Sequence, residues 1–185
     1  MTALTVLIIR HAEKPGEAWA GPGLTQLGEV NKKSLVLRGW ERAGAWAALF
    51  GGGHGGADYP TPNHIYAANP NVEGSRRAHE TIIPLAARLG FPPVTRFAVG
   101  EEAAMAAEVA HLAGVVLISW EHKRIGEALL PELTRGQAGP ALPARWDSAR
   151  YDVVLRLDRA APGALWRVRQ LFPRLLSGDS AQPMV

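Results

Sequence analysis

The chain has 185 residues, of which 47% are hydrophobic and 20% charged, with a formal net charge of +3 and no cysteine. That composition suits a single soluble domain burying roughly 70% of its unfolded surface, and it excludes disorder, a disulfide framework and thiolate metal sites. The basic residues are scattered and the longest apolar run is far shorter than the ~18 residues of a membrane span, so neither nucleic acid nor membrane is an expected partner, and a cytoplasmic setting with a small anionic ligand is expected.

In chain order, the first element is the run Leu4 to Ile9, which reads as a buried strand and ends abruptly in Arg10 and His11. Residues 12–38, rich in proline and glycine, read as a long connection able to form a rim or lid. Helical spacing is expected over 39–50, 73–89, 101–112 and 121–133, and strands over 64–67, 94–97, 115–119 and 152–157. Pro84 lies inside the second helical pattern and predicts a kink or late start. Alternating strands and helices predict an α/β fold, a three-layer sandwich whose mostly parallel central sheet carries helices on both faces. In such sheets ligands bind beyond the carboxyl ends of the strands, where Arg10 and His11 stand.

Residues 51–56 read GGGHGG, but they follow a helix and precede a strand, the reverse of a dinucleotide-binding turn, and are expected to be a loop. The segment 163–176 mixes Trp166, Phe172, Leu175 and Leu176 with three arginines and reads as a terminal helix packed on the sheet. One domain over 1–176 with a mobile tail at 177–185 is the expected organisation. The six histidines show no HExxH pair and no i, i+4 pair, so no metal or other cofactor is expected.

Four ordered motifs carry more than any one residue: Arg10-His11 within VLIIRHAEKP, Leu35-Val36-Leu37-Arg38-Gly39 followed by Arg42-Ala43, Ser75-Arg76-Arg77-Ala78-His79-Glu80-Thr81, and Ile118-Ser119-Trp120-Glu121-His122. Together they resemble the histidine phosphatase superfamily, which includes phosphoglycerate mutase-like enzymes, and in particular a bacterial branch whose opening reads RHAEKP. The resemblance implies that His11 is the nucleophile, that Arg10 and Arg77 bind phosphate, that His122 is the second pocket histidine, and that no metal is required. It leaves Thr25 and the segment 35–39 as alternatives for the position of the Leu-Ser/Thr-x-x-Gly pattern. For the general acid it points to Glu101 or Glu102, with Glu121 and Glu13 next in order.

The residue types support this chemistry independently. A neutral imidazole attacks phosphorus readily near pH 7, and guanidinium forks with a second imidazole can hold the phosphoryl oxygens. The expected activity is metal-independent hydrolysis of a phosphomonoester or phosphoprotein through phosphohistidine at His11, with inorganic phosphate or sulfate able to occupy the same pocket. A phosphoryl-transferring mutase and a non-catalytic phosphate-binding regulator are the alternatives. Trp120, His54, His64, His79 and His111 are expected to be packing or surface residues.

Overall fold

The structure is a computed structural model that describes residues 3–16, 18–72, 76–135 and 145–184. Strand β1 (Leu4–Arg10) is followed by α1 (Leu37–Gly51), β2 (His64–Ala67), α2 (Arg76–Leu89), α3 (Glu102–Val109) and β3 (Gly114–Trp120). A short helical turn α4 (His122–Arg124) passes through a π turn (Ile125–Leu129) into α5 (Leu130–Thr134), and β4 (Val154–Arg159) and β5 (Arg167–Leu171) complete the chain. The five strands form one sheet in the order β2-β3-β1-β4-β5.

The sheet is mixed. β2, β3 and β1 pair in parallel, whereas β4 runs antiparallel to both β1 and β5. Two features account for the difference from a largely parallel sheet. The stretch 94–97 makes an isolated parallel bridge, Val94 to Tyr66, and one further backbone bond from the Asn69 N–H to the Phe97 carbonyl, and so forms no ladder with the sheet. The expected helix over 163–176 is instead β5: residues 167–171 satisfy the free edge of β4, and Pro173 interrupts any helix immediately afterwards.

Alternate residues of β1 serve two separate apolar clusters. Leu4, Val6 and Ile8 pack with Met105, Val109, Ile125 and Leu129 from α3 and the segment after β3. Leu7 and Ile9 pack with Trp46 and Phe50 of α1 and Ile82 and Leu85 of α2. α1 buries Gly39, Arg42, Ala43, Trp46, Ala47 and Phe50. That spacing of three and four lays one stripe against the sheet.

The helix containing Pro84 runs unbroken from Arg76 to Leu89, and the expected start at 73–75 lies outside the described residues. Pro131 explains the π turn: it has no N–H to extend an α ladder, and the Leu130 N–H reaches back to the Ile125 carbonyl instead. Residues 177–184 contact the rest of the domain at several points. Asp179 grips Arg42, the Ser180 N–H donates to Asp152, and Met184 is buried and exchanges hydrogen bonds with Gln170. No helix among the described residues is long and apolar enough to cross a membrane.

Candidate active site

The parallel register of β1 and β3 sets Arg10 beside Trp120, and the His11 N–H donates to the Trp120 carbonyl at 3.0 Å. His11 and His122 therefore emerge together just beyond the carboxyl ends of two adjacent strands. Their ring centroids are 5.9 Å apart and nearly perpendicular, at 80°.

His11 is 6% exposed, and its Nδ1 lies 2.8 Å from the Ala12 carbonyl oxygen. A carbonyl can only accept, so Nδ1 carries the proton and Nε2 keeps its lone pair. Burial drives the His11 pKa down to about 3; the charges of Arg10, Arg77 and His122 act in the same direction, against the bond to Ala12. The sign is clear: the ring stays neutral above its lowered pKa, where an ordinary histidine would protonate below about 6.5. In an imidazole NMR titration of the free protein, the His11 signal should show no step between pH 8 and pH 5. A step near 6.5 that is absent from His11→Asn would contradict this environment.

Arg10 is fully buried. Its Nη1 donates to the carbonyls of Ser148 (2.8 Å), Arg150 (3.2 Å) and Asp147 (3.4 Å), and its guanidinium carbon sits 3.8 Å from the centre of the Tyr151 ring. Its Nε is buried without a partner among the described residues. Arg77 reaches across to the long connection, donating to the Lys32 carbonyl at 2.9 Å and, more weakly, to that of Ser34 at 3.4 Å. Its neighbour Arg76 instead pairs with Glu80 one turn on.

Glu80 is buried and accepts from the Ser34 hydroxyl and the Leu35 N–H, which pins the end of the connection to α2. Thr81 accepts from the Ala12 N–H at 2.8 Å and donates to the Arg77 carbonyl, so one hydroxyl joins the turn after His11 to the helix bearing Arg77. Gly39 allows the next close approach, since a Cβ there would stand 2.5 Å from the Glu13 carbonyl oxygen. The Val36 N–H donates to that carbonyl, and Val36 precedes α1 without a side-chain cap. Thr25 spends its hydroxyl on the N–H groups of Leu27 and Glu29 in its own turn.

The carboxylates are distributed differently from the sequence-based expectation. Glu101 is exposed and accepts from the Ala98 N–H, closing the turn before α3. Glu102 is buried and accepts from Gly100, the Trp120 indole and two nitrogens of Arg124. Burial would raise its pKa, but the bonds from Arg124 and Trp120 outweigh that and hold it down at about 2. Glu102 is thus tied to Trp120 and Arg124, and Glu101 to the turn before α3, which is where the structure places the two candidates for the general acid.

Glu121 stands next to the histidines. Its Oε2 accepts from the Arg124 N–H and its Oε1 lies 2.8 Å from His122 Nδ1, off the ring's N–H direction, so that contact is electrostatic. Burial opposes ionisation of Glu121, yet its contacts with His122 and Arg124 hold its pKa down at about 2. Glu13 is buried against Arg42, and burial raises its pKa despite that cation.

Among the described residues, one group of ligand-type side chains comes together: atoms of His11, Glu121 and His122 lie within 4.8 Å of one another. The charges of Arg10 and Arg77 act on the same imidazole, and two guanidinium groups suit an oxyanion better than a metal ion. Tyr151, which contacts both Arg10 and His11, and Trp19, stacked edge-on to Tyr151, escape sequence reasoning because no motif marks them. Thr81 closes the motif that holds Arg77, and its role could have been found there.

No family model matches the chain, and no curated protein matches it in sequence. Solved structures do. The protein histidine phosphatase SixA complexed with tungstate aligns with a TM-score of 0.56 at 15% identity, covering 91% of this chain and 97% of that one. A mycobacterial glucosyl-3-phosphoglycerate phosphatase aligns at 0.54 and 16%, covering 90% and 97%. A structure described as mycobacterial hydrolase 2 aligns at 0.51 and 18%, covering 91% and 90%. The order of strands and helices, the paired histidines at the sheet edge and these likenesses agree: the chain has the fold of the histidine phosphatase superfamily.

Proposed function

We propose that this protein is a metal-independent phosphatase that hydrolyses a phosphomonoester or phosphoprotein through a phosphohistidine on His11. The observation that carries the reading is the state of His11: a neutral, buried imidazole with Nδ1 tied to a carbonyl, Nε2 free, and two arginines close enough to act on it. The likeness to a protein histidine phosphatase and to a sugar-phosphate phosphatase, and the tungstate held by the former, support a tetrahedral oxyanion as ligand.

In this mechanism the phosphoryl group lies among Arg10, Arg77 and His122. The His11 Nε2 lone pair attacks phosphorus as the bond to the leaving group breaks, and the leaving atom takes a proton from His122. Water then attacks the phosphohistidine and gives a proton back to His122, the N–P bond breaks to restore the neutral His11 imidazole, and inorganic phosphate departs. The cations neutralise charge that a metal would otherwise meet.

The occupied carboxylates favour a class of substrate. Glu102 and Glu121 are both held ionised, which suits leaving groups that need no carboxylic acid, such as the nitrogen of a phosphorylated protein histidine or a phenolate, over simple alkoxides. The test is turnover of nitrophenyl phosphate in excess chelator. Turnover is expected to persist; its loss, with recovery on adding a divalent ion, would assign the His11, Glu121 and His122 cluster to a metal instead.

A further inference from the structure

The end of the sheet remote from His11 carries a second cavity. Leu4, at the start of β1, pairs with Arg159 at the end of β4, so Arg159 stands about 20 Å from the histidines along the strand. There α3, the end of α5 and the turn after β4 enclose about 350 Å³. One wall is Ala103, Ala106, Ala107 and Ala110; Arg135, Arg159 and Trp166 face it. The four alanines leave the space open, and it exceeds what a single water or simple ion needs.

The two arginines lack counter-charges. Neither forms an ion pair with a carboxylate among the described residues, and Glu132, the one acidic residue among the described lining, is not within bridging distance of either. The Arg159 guanidinium lies 4.8 Å from the centre of the Trp166 ring, and its Nη2 donates to the Ala110 carbonyl at the end of α3. Its Nε is buried without a partner among the described residues. Burial and the charge of Arg135 both lower the Arg159 pKa, as expected for two cations sharing a partly desolvated space. Arg135 adopts a left-handed conformation, φ 49°, at the end of α5, a cost to a residue with a Cβ that places its side chain in the cavity wall.

Two guanidinium groups lining one cavity, without a carboxylate partner among the described residues, and a small apolar wall have one chemistry in common. We infer that this cavity is a second ligand site, distinct from the His11 pocket, that binds a compact organic dianion of the phosphate or phosphonate type, its oxygens on Arg135 and Arg159 and its apolar body against the alanines of α3.

The test is calorimetric titration of the full chain with phenylphosphonate, which cannot be hydrolysed, and with inorganic phosphate. The wild type should bind two phenylphosphonates per chain. Arg135→Gln, an exposed change that leaves the core intact, and Arg159→Gln should each lose one site and keep nitrophenyl phosphate turnover. Arg77→Ala should lose the other site. Phenylphosphonate should bind the distal site more tightly than inorganic phosphate because only it covers the alanine wall. A single site in the wild type that both distal variants retain would overturn the inference, as would two sites unaffected by them. A single site lost in Arg135→Gln but kept in Arg77→Ala would uphold it and instead count against the His11 pocket.

Discussion

His11→Ala should lose turnover of nitrophenyl phosphate by about 10³-fold or more, while the protein stays folded. The loss is large because no other described histidine at the sheet edge has its Nδ1 tied to a carbonyl so that Nε2 keeps its lone pair: His122 sits beside a carboxylate instead. The fold survives because the ring's one strong bond is to its own neighbour's carbonyl, and the strand ladder runs through backbone groups that alanine retains. Rapid quenching of the wild type during turnover should trap phosphate on nitrogen, stable to alkali and lost in acid, and His11→Ala should trap none. An active His11→Ala, or a phosphoryl adduct that survives the substitution, would place the nucleophile elsewhere.

Arg42→Met should cost about 3–5 kcal/mol of stability, read as a shift in the urea midpoint at pH 7. Arg42 is buried between two carboxylates, bonding Glu13 at 2.8 Å and Asp179 through both of its terminal nitrogens. Removing the cation leaves both buried carboxylates without a counter-charge, a penalty larger than the net worth of the original pairs. It also unlatches residues 177–184 from the turn after His11, so some activity should fall with stability. The triple variant Glu13→Gln, Arg42→Met, Asp179→Asn removes the stranded charges and should recover much of the loss. A single variant within about 0.5 kcal/mol of wild type would mean that the triad is neutral to stability.

Much of the site was legible because its residues are bound to local sequence. Arg10 and His11 end an apolar run, and a strand that leaves the core must deliver its next residues to an edge. The motif resemblance singled out Arg77 over Arg76, and tertiary contact sets them apart physically: Arg76 has a carboxylate one turn away on its own helix, whereas Arg77 meets carbonyls more than forty positions back along the chain. The partners of the candidate acids were hidden for the same reason. Glu102 looks free in sequence, and nothing local says that Trp120 and Arg124 will close on it. Val168 and Leu171 lie three apart, a spacing that fits a helix face, and the choice of strand over helix was made by the open edge of β4.

By itself the sequence determined β1, the three long helices, the absence of thiol chemistry and the placing of an arginine and a histidine at a strand end, because these rest on hydrophobic period and residue type. Tertiary structure decided what long-range pairing decides: the antiparallel half of the sheet, the contact of 177–184 with Arg42, the capture of Glu102, and the juxtaposition of His11 with His122, Glu121 and Tyr151. The tautomer and depressed pKa of His11 belong to both: its place at the strand end is local, but its burial and the two cations around it arise only when β1, β3 and α2 meet.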